Sequence, residues 1–433
     1  MNFDRMRALL LDQAIRGELV PQLAKEGEVD QIGAVPEQVP FAIPEKWKWV
    51  RLSDLVLKHL GGGTPSKLNV NFWNGDIPWA SVKDLKGTVL STTQDSITEE
   101  GLNNSSSNLI PAGTVIVCTR MGLGKVAINT VPVAINQDLR ALFLSEKIDK
   151  NYFLHFYSGM KIEGAGTTVK GIKLTELLNL LIPLPPVEEQ IRIVAKLEET
   201  FAEIDRAEKA YEELQTLSGV LRGQILQKAI QGQLVTQLDT EPSVEMIGVA
   251  PRDVPFEIPD SWKWIRLDVM ATIVRGGSPR PIKSFITERE DGLNWIKIGD
   301  AEHGTARISH CAEKNVPEGL KKTRFIKRGS LLLTNSMSFG YPYILDVDGC
   351  IHDGWLAFSD FESVLNRDYL YYTLLSPYCR SVFVSKAAGA VVKNLNIDKV
   401  KEVFIPVPPV KEQARIVAKV EELLKQVDAL SAG

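Results

Sequence analysis

The residues of this 433-residue sequence that could do chemistry lie in polar loops, and each loop occurs twice. Arg, Lys, Asn, Gln, Ser and His in these loops form the donor–acceptor hydrogen bonds that suit DNA base edges and phosphates. The paired segments are 61–67 (GGGTPSK) and 276–281 (GGSPRP), 78–84 (PWASVKD) and 294–300 (NWIKIGD), 118–128 (CTRMGLGKVAI) and 334–344 (TNSMSFGYPYI), 135–138 (INQD) and 351–354 (IHDG), and 165–173 (AGTTVKGIK) and 387–396 (AAGAVVKNLN). Because the backbone-shaping residues are kept while the polar side chains differ, we expect two similar domains that bind two different targets.

The sequence lacks the motifs of several enzyme classes. It contains no Asn-Pro-Pro-Tyr methyltransferase loop, no GxxxxGK[ST] phosphate loop and no HExxH zinc motif. The segment GLGK at 122–125 is only part of a phosphate loop, since the preceding Gly and the following Ser or Thr are missing. The five histidines, at positions 59, 155, 303, 310 and 352, do not match between the two halves. A duplicated histidine active site is therefore not predicted.

The elements that position these loops are also duplicated, and the copies are circularly permuted. Residues 39–52 (VPFAIPEKWKWVRL) return 215 positions later as 254–267 (VPFEIPDSWKWIRL). Residues 182–199 (IPLPPVEEQIRIVAKLEE) return 223 positions later as 405–422 (IPVPPVKEQARIVAKVEE). The two shifts place the N- and C-termini opposite nearly adjacent points within 187–235. We therefore expect the terminal segments to lie side by side and to imitate the central segment.

The central segment 187–235 is predicted to form one long helix. Its apolar residues recur at steps of three and four, which is typical of a coiled-coil seam, and Pro185 and Pro186 mark its start. The N- and C-terminal segments repeat parts of this stripe, so we expect them to pack antiparallel against the central helix. The residues assigned to helix and partner packing are Met6, Leu10, Val194, Leu197, Phe201, Ile204, Tyr211, Leu214, Leu221, Val417, Val420, Leu424 and Val427.

The predicted fold class is α+β, with two similar mixed α/β domains separated by long antiparallel coiled-coil helices and a permuted internal repeat with pseudo-two-fold symmetry. Short β-branched runs between Gly, Pro and Asn turns indicate the mixed domains. Tryptophans 47, 49, 262 and 264 are predicted core anchors. The predicted segments are an N-terminal helix and linker (1–36), a first recognition domain (37–186), the central helix (187–235), a linker (236–252), a second recognition domain (253–409) and a C-terminal helix (410–433).

Composition restricts how such a chain could bind DNA. The formal net charge is −4, but residues 37–186 hold 15 basic against 13 acidic residues, and residues 253–409 hold 20 against 19. A DNA contact would therefore use local clusters rather than a broad positive field. The four isolated cysteines form neither a zinc spacing nor a disulfide framework, and no apolar run is long enough to span a membrane. We expect a cytoplasmic protein without a metal site.

The PLPP and EEQ residues at the start of the central helix, their C-terminal copy, and the GGGTPSK and W-x-x-x-x-D loops resemble the specificity subunit of a type I restriction–modification system. The resemblance covers essentially the full length, including the permutation. It implies that two recognition domains each read one half of a bipartite double-stranded DNA sequence in the major groove. It also implies that the helices separate the half-sites and bind two modification (methyltransferase) subunits, which restriction (translocase and endonuclease) subunits join. Such a chain catalyses nothing and holds no cofactor, because S-adenosylmethionine, ATP and Mg²⁺ belong to the partner subunits.

The same resemblance assigns DNA contacts to individual loop residues. In the first domain these are Gly62, Gly63, Thr64, Ser66, Lys67, Lys83, Arg120, Lys125, Asn136, Gln137, Lys170 and Lys173. In the second domain they are Arg275, Ser278, Arg280, Lys297, Asn335, Ser336, Ser338, His352, Lys393, Asn394 and Asn396. Two alternatives stay open. One is a coiled-coil scaffold that presents two protein-binding domains without binding DNA, and the other is a nuclease with duplicated catalytic domains.

Overall fold

The chain forms two compact units, Met1–Ala210 and Tyr211–Gly433, called unit 1 and unit 2 below. The computed structural model describes residues 1–160, 162, 170–302, 304–336, 339–387 and 394–431.

Unit 1 combines helices with three small sheets. Its elements are α1 (Phe3–Arg16), β1 (Lys48–Arg51), α2 (Leu52–Leu55), β2 (Val56–Gly61), β3 (Trp73–Ala80), β4 (Val89–Leu90), β5 (Asp95–Ile97), α3 (Glu99–Asn103), β6 (Leu109–Ile110), β7 (Val115–Cys118), β8 (Val126–Asn129), β9 (Val133–Ile135), β10 (Leu139–Leu144), α4 (Lys150–Gly159), α5 (Leu174–Leu178), β11 (Leu181–Leu184) and α6 (Val187–Ile230), which continues into unit 2. The strand orders are β2-β10-β7-β8-β4, β5-β3-β9-β6 and β1-β11.

Unit 2 repeats this plan. Its further elements are β12 (Lys263–Arg266), α7 (Leu267–Met270), β13 (Thr272–Arg275), β14 (Ile286–Thr287), β15 (Leu293–Ile296), β16 (Arg307–Ile308), β17 (Glu313–Asn315), β18 (Arg324–Ile326), β19 (Leu331–Thr334), β20 (Pro342–Leu345), β21 (Gly349–Ile351), β22 (Trp355–Ser359), α8 (Arg367–Leu375), α9 (Pro377–Ala387), α10 (Ile397–Lys401), β23 (Phe404–Val407) and α11 (Val410–Ser431). The strand orders are β13-β22-β19-β20-β16, β14-β17-β15-β21-β18 and β12-β23.

The two sets of sheets match strand for strand, with β14 as an addition in unit 2. The register is also repeated, because Trp49 lies opposite Pro183 and Trp264 lies opposite Pro406 in the antiparallel pairs β1-β11 and β12-β23. The fully buried strands β7 and β19 lie at the centre of the five-stranded sheets. The predicted α+β class and the permuted repeat are therefore confirmed.

Equivalent glycines end the helices that lead into the two linkers. Gly17 after α1 and Gly232 after α6 have left-handed backbones, with φ +74° and +73°. A Cβ at Gly17 would lie 2.4 Å from Pro44 Cγ, and one at Gly232 would lie 2.5 Å from Pro259 Cγ. Only glycine meets both the backbone and the space requirement. Helix α6 accordingly ends at Ile230, five residues before the predicted end of the central segment.

The predicted core tryptophans are buried, and two of them bind the first turn of a long helix. The indole Nε1–H of Trp47 donates to Glu189 Oε2 at 3.0 Å in unit 1. In unit 2 the indole Nε1–H of Trp262 donates to Glu412 Oε2, also at 3.0 Å. Burying a carboxylate requires such donors. The Glu of the EEQ and KEQ segments therefore joins each helix start to its own domain.

The neighbouring glutamine makes a second repeated contact. Gln190 Oε1 accepts from the backbone N–H of Asp149 at 2.7 Å, just before α4. Gln413 Oε1 accepts from the backbone N–H of Asn366 at 2.6 Å, just before α8. Each long helix is thus fixed to a second helix of its unit at its first turn.

In unit 1, α1 packs antiparallel to the first part of α6. Arg7, near the start of α1, pairs with Asp205 at 2.6 Å and Glu208 at 2.5 Å. Glu26, beyond the end of α1, instead pairs at 2.6 Å with Arg192, which lies near the start of α6. As residue numbers rise along one segment, they fall along the other.

In unit 2, α11 packs antiparallel to the last part of α6. Arg222 of α6 pairs with Asp428 near the end of α11. Glu241, beyond the end of α6, pairs at 2.7 Å with Arg415 near the start of α11. The antiparallel packing predicted for the two terminal helices is confirmed within each unit.

The helix-packing residues differ in exposure. Val194, Leu197, Ile204, Val420 and Val427 are buried, and Leu10, Phe201, Tyr211, Leu214, Val417 and Leu424 are half-buried. Met6 and Leu221 occupy equivalent positions in the repeat and are 44% and 40% exposed. Both side chains therefore lie on the surface of their own unit.

Candidate nucleic-acid interface

In unit 1, the glycine loop after β2 lies against the turn between β9 and β10. A Cβ at Gly62 would lie 2.0 Å from the carbonyl oxygen of Ile135 and 2.3 Å from that of Asn136, so only glycine fits there. The hydroxyl of Thr64 donates to Gln137 Oε1 at 2.5 Å. Two of the predicted loops therefore form one surface.

Asn136 shapes this turn from inside. It is 6% exposed, its Nδ2 donates to Asp138 Oδ2 at 3.2 Å, and its Oδ1 accepts from the Asp138 N–H at 3.1 Å. Arg120 Nε lies 3.6 Å from Asp138 Oδ1. Because the side chain of Asn136 is committed to the turn, Arg120 and Gln137 are the exposed groups here.

The loop between β7 and β8 is held by the segment before α5. The carbonyl oxygen of Thr119 accepts from the Ile172 N–H at 2.9 Å, and the N–H of Met121 donates to the carbonyl oxygen of Lys170 at 3.2 Å. Lys125 and Lys170 are exposed on these two segments. The sequence places them 45 residues apart, and the fold brings their segments together.

A fifth segment joins the same surface through the turn after β3. The backbone N–H and the hydroxyl of Ser81 donate to Asp84 Oδ2 at 2.8 and 3.0 Å and close the turn. A Cβ at Gly122 would lie 2.7 Å from Val82 Cγ1, which places this turn against the β7–β8 loop. Lys83 is exposed at its tip. The described parts of all five predicted loop segments of unit 1 therefore meet on one side.

Unit 2 forms the equivalent surface with a different carboxylate at its centre. The N–H of Gly277 donates to the carbonyl oxygen of Ile351 at 3.1 Å. Asp353 then accepts twice, at its backbone oxygen from Arg275 Nε at 2.9 Å and at Oδ1 from the Ser278 hydroxyl at 2.7 Å. Asp353 thus ties the glycine loop to the turn between β21 and β22.

His352 lies in the same turn with a defined tautomer. Its Nδ1 accepts from the Gly354 N–H at 3.0 Å. The proton must therefore be on Nε2, which lies 2.9 Å from Asp353 Oδ1 and donates to it. The ring is half-buried, with both nitrogens engaged.

Cations surround this histidine. Burial lowers the pKa of His352, Asp353 raises it, and the charges of Arg280, Lys297 and Arg275 lower it again, so the net shift is downward from 6.5. Burial raises the pKa of Asp353, but the hydrogen bond from Ser278 and the neighbouring His352, Arg275 and Arg280 bring the pKa below its ordinary value. At pH 7 the cluster therefore combines a neutral imidazole with arginine and lysine cations.

A small cavity collects four of the predicted residues of unit 2. It has a volume of about 260 Å³, and Arg275, Asn335, Asn394 and Asn396 line it. Asn335 is 1% exposed, and its Nδ2 donates to the carbonyl oxygen of Asp353 at 3.1 Å. Like Asn136, it organises the loops, whereas Asn394 faces solvent and the exposed Asn396 caps α10 by accepting from the Asp398 N–H at 3.2 Å.

The described predicted contacts fall into three groups by exposure. Exposed residues are Ser66, Lys67, Lys83, Arg120, Lys125, Gln137, Lys170, Lys173, Arg275, Arg280, Asn394 and Asn396. Half-buried residues are Gly62, Thr64, Ser278, Lys297, Ser336 and His352, and buried residues are Gly63, Asn136 and Asn335. Lys297 Nζ pairs with Glu313 at 2.6 Å. Ser338 and Lys393 lie outside the described residues.

Three residues of these surfaces were not predicted from the sequence. Asp138 and Asp353 organise the turns of units 1 and 2, and an acidic residue in both INQD and IHDG was the available signal. Met121 is exposed at the tip of the β7–β8 loop. Its sequence context gave no signal, because exposure depends on how the loop folds.

The described residues offer neither a metal site nor a membrane-spanning helix. They contain no group of three or more His, Cys, Asp or Glu side chains arranged to hold a metal ion. None of their helices has both the length and the apolar composition needed to cross a membrane.

Comparison with known proteins gives concordant matches. The sequence profile described as "Type I restriction modification DNA specificity domain" matches residues 44–216 and again 259–432. The chain is 39% identical over 162 residues to the EcoR124I/EcoR124II specificity subunit of Escherichia coli, covering 35% of this chain and 40% of that subunit. It is 24% identical over 396 residues to the MjaIX specificity subunit of Methanocaldococcus jannaschii, covering 85% of this chain and 84% of that one.

Solved structures share the fold. A chain from a study of complex assembly and conformational transition in the type I R-M system aligns with a TM-score of 0.68 and 22% identity, over 91% of this chain and 94% of that chain. The HsdS subunit from Thermoanaerobacter tengcongensis aligns with a TM-score of 0.55 and 22% identity, over 90% and 92%.

Proposed function

The chain belongs to the type I restriction–modification DNA specificity family, and from this premise we propose that each unit reads one half of a bipartite DNA target. The observation that carries the proposal is a loop surface built twice on one backbone plan with different side chains. The two profile matches fall one on each loop surface, which agrees with two separate readers.

The backbone plan consists of hydrogen bonds that recur at equivalent positions. In unit 1 they connect the glycine loop after β2, the turn before β10 and the segment before the short helix α5. In unit 2 they connect the glycine loop after β13, the turn before β22 and the segment before the short helix α10. The equivalent N–H to O=C pairs are Gly63–Ile135 (3.0 Å) and Gly277–Ile351 (3.1 Å), Thr119–Asp138 (2.8 Å) and Asn335–Gly354 (2.9 Å), and Ile172–Thr119 (2.9 Å) and Leu395–Asn335 (2.8 Å).

The side chains on this plan differ in hydrogen-bonding character. Arg120 in unit 1 corresponds to Ser336 in unit 2, and Gln137 corresponds to Asp353. Base pairs present distinct donor and acceptor patterns in the major groove, so loops that carry different polar side chains select different bases. Because the two units share a backbone plan but differ in their loop side chains, we expect them to read two different half-sites.

The chain is a specificity subunit and has no catalytic role of its own. In our proposal, it positions the methyltransferase of a partner subunit at the target base, and flipping and methylation take place in the partner. S-adenosylmethionine, ATP and Mg²⁺ would bind to the partner subunits.

The helices offer equivalent contacts for two modification subunits. Met6 and Leu221 are exposed apolar residues at matching positions of the repeat, one in each unit. A partner that recognises one of them can recognise the other in the same way, and restriction subunits would join this complex. The acidic helices would not attract DNA, which agrees with a role in protein contacts.

Methylation mapping tests the proposal. This chain would be co-expressed with a modification subunit of its own system, and methylated bases would be mapped across a genome by single-molecule sequencing. We expect a motif of two defined half-sites with a fixed gap. Co-expression without this chain is the control and should leave no such motif.

A stable complex that leaves no methylated motif would contradict the proposal. It would instead favour the scaffold alternative, in which the two units bind proteins. Cleavage or methylation by the isolated chain would contradict its non-catalytic assignment.

A further inference from the structure

Met121 is a large apolar side chain that unit 1 presents at the tip of its β7–β8 loop. It is 67% exposed, and its backbone has φ +59°. Few residues with a Cβ adopt this left-handed conformation, in which glycine would be unstrained. Single exposed apolar residues are common, whereas exposed apolar residues held in an unfavourable backbone conformation are uncommon.

The surrounding loops impose this conformation. The N–H of Met121 donates to the carbonyl oxygen of Lys170 at 3.2 Å, and the next turn is closed by the Lys125 N–H donating to the carbonyl oxygen of Gly122 at 3.0 Å. A Cβ at Gly122 would lie 2.7 Å from Val82 Cγ1, so the loop has little space to shift. The position of Met121 is therefore fixed.

Cations flank the exposed methionine. Arg120, Lys125 and Lys170 are exposed on the two segments joined at this tip, and Arg120 is anchored 3.6 Å from Asp138. Lysines such as Lys125 and Lys170 contact phosphates and bring the residue between them to the level of the base edges. The apolar group that base pairs present in the major groove is the C5-methyl of thymine.

We propose that Met121 is a specificity-determining residue that packs against the C5-methyl group of a thymine in the half-site read by unit 1. The inference rests on the proposed function, since it requires the loops of unit 1 to face the major groove. The second repeat also has methionine at this position, at residue 337, which lies outside the described residues.

Deoxyuridine substitution tests the contact, because it removes only the methyl group. The full chain in complex with its modification subunits would be titrated with duplexes carrying the mapped motif. Each thymine of the unit 1 half-site would be replaced by deoxyuridine in turn. At one position we expect binding to weaken about fourfold, the factor that corresponds to about 0.8 kcal/mol for one buried methyl group.

Two alanine variants assign that effect to a residue. Met121→Ala should bind the thymine and deoxyuridine duplexes equally well. Leu57→Ala is the matched control, because Leu57 is an exposed apolar residue near the opposite end of β2 from the glycine loop, and it should keep the fourfold difference.

A glycine variant separates contact from loop support. Met121→Gly removes the side chain and relieves the left-handed backbone, so its thermal stability should be at least that of the wild type while its sensitivity to deoxyuridine is lost. A lower stability accompanied by weaker binding would mean that Met121 only supports the loop, and would overturn the inference.

The binding measurements can contradict the inference in two further ways. Specific binding without a sensitive thymine, or with the same sensitivity in Met121→Ala, overturns the inference and leaves the proposed function intact. If the complex shows no sequence-specific binding, both this inference and the proposed function are contradicted.

Discussion

The polar residues of the two loop surfaces have two different roles: some hold the loops in shape and others face solvent. Asn136 and Asn335 are buried and use their side chains to hold the turns, with Asp138 and with the backbone of Asp353. Exposed neighbours such as Lys125 face solvent, where we expect them to contact DNA. A substitution at a buried amide is therefore expected to act through loop shape, and one at an exposed residue through direct contact.

His352 provides a pH test of the unit 2 surface. Its pKa is lowered from 6.5, so the ring is neutral at pH 7. A phosphate beside it would favour the charged form, raise its pKa and make binding take up a proton. The affinity of the complex for the methylated motif should therefore rise as the pH falls below neutral, and level off below the pKa of the free protein.

Titrations at constant salt between pH 6 and 8 would measure this dependence. His352→Gln keeps an acceptor for the Gly354 N–H and should lose the rise, whereas a profile equal to that of the wild type would exclude His352 from phosphate contact. The pH dependence of folding stability has the opposite sign. Because the lowered pKa favours the neutral ring, the folded state loses stability as the pH falls below 6.5.

At the scale of elements, the helix ends show how the repeat is enforced. Gly17 and Gly232 have the same left-handed backbone and the same contact with a proline of the following linker. The chain can therefore leave both helices along the same path towards Trp47 and Trp262. Local backbone geometry, and not only the apolar stripe, makes the two linkers alike.

Alanine substitutions test this geometry. Gly17→Ala would be strained and would place its Cβ 2.4 Å from Pro44, so we expect a loss of at least about 1 kcal/mol in the free energy of unfolding of unit 1. Gly219→Ala is the control, because that glycine lies within α6 with open space around it and should stabilise by roughly 0.5–1 kcal/mol. Denaturant titration measures both, and equal effects would refute the strain at Gly17.

Substitution of Met6 and Leu221, the exposed apolar residues at matching positions of the repeat, tests the proposed partner contacts. Met6→Asp and Leu221→Asp each place a charge in an apolar contact that we propose for one modification subunit. Each single variant should retain one modification subunit per chain, and the double variant should retain none, as measured by native mass spectrometry. Binding of two subunits by the double variant would place the contacts elsewhere. Leu57→Asp, at an exposed apolar residue of β2 outside these helices, is the control.

Across the whole molecule, the parts predicted from the sequence were those repeated in it. The tryptophan anchors and the antiparallel helices follow from segments such as 39–52 and 182–199, whose patterns are local, whereas the strand order was seen only in the structure. The burial of Asn136 and Asn335 could not be predicted, because it depends on hydrogen bonds between loops distant in the sequence. The exposure of Met121 depends on the same contacts.

Helix α6 runs from unit 1 into unit 2, so we expect its length to set the gap between half-sites. Insertion of one heptad after Ala210 would add about 10 Å, or roughly three base pairs. The mapped motif should keep both half-sites and gain a longer gap. Seven residues inserted after the exposed Gly87 are the control and should leave the gap unchanged. A changed half-site after the helix insertion would contradict the spacer role.

The most direct test of the central claim is methylation mapping after a domain exchange. Residues 37–186 would be replaced by the corresponding domain of a specificity subunit with a known, different target, and the methylated motif would be mapped again. If each unit reads its own half-site, one half of the motif changes to the donor's half, while the other half stays as before. A motif that changed in both halves, or in neither, would contradict independent reading by the two units.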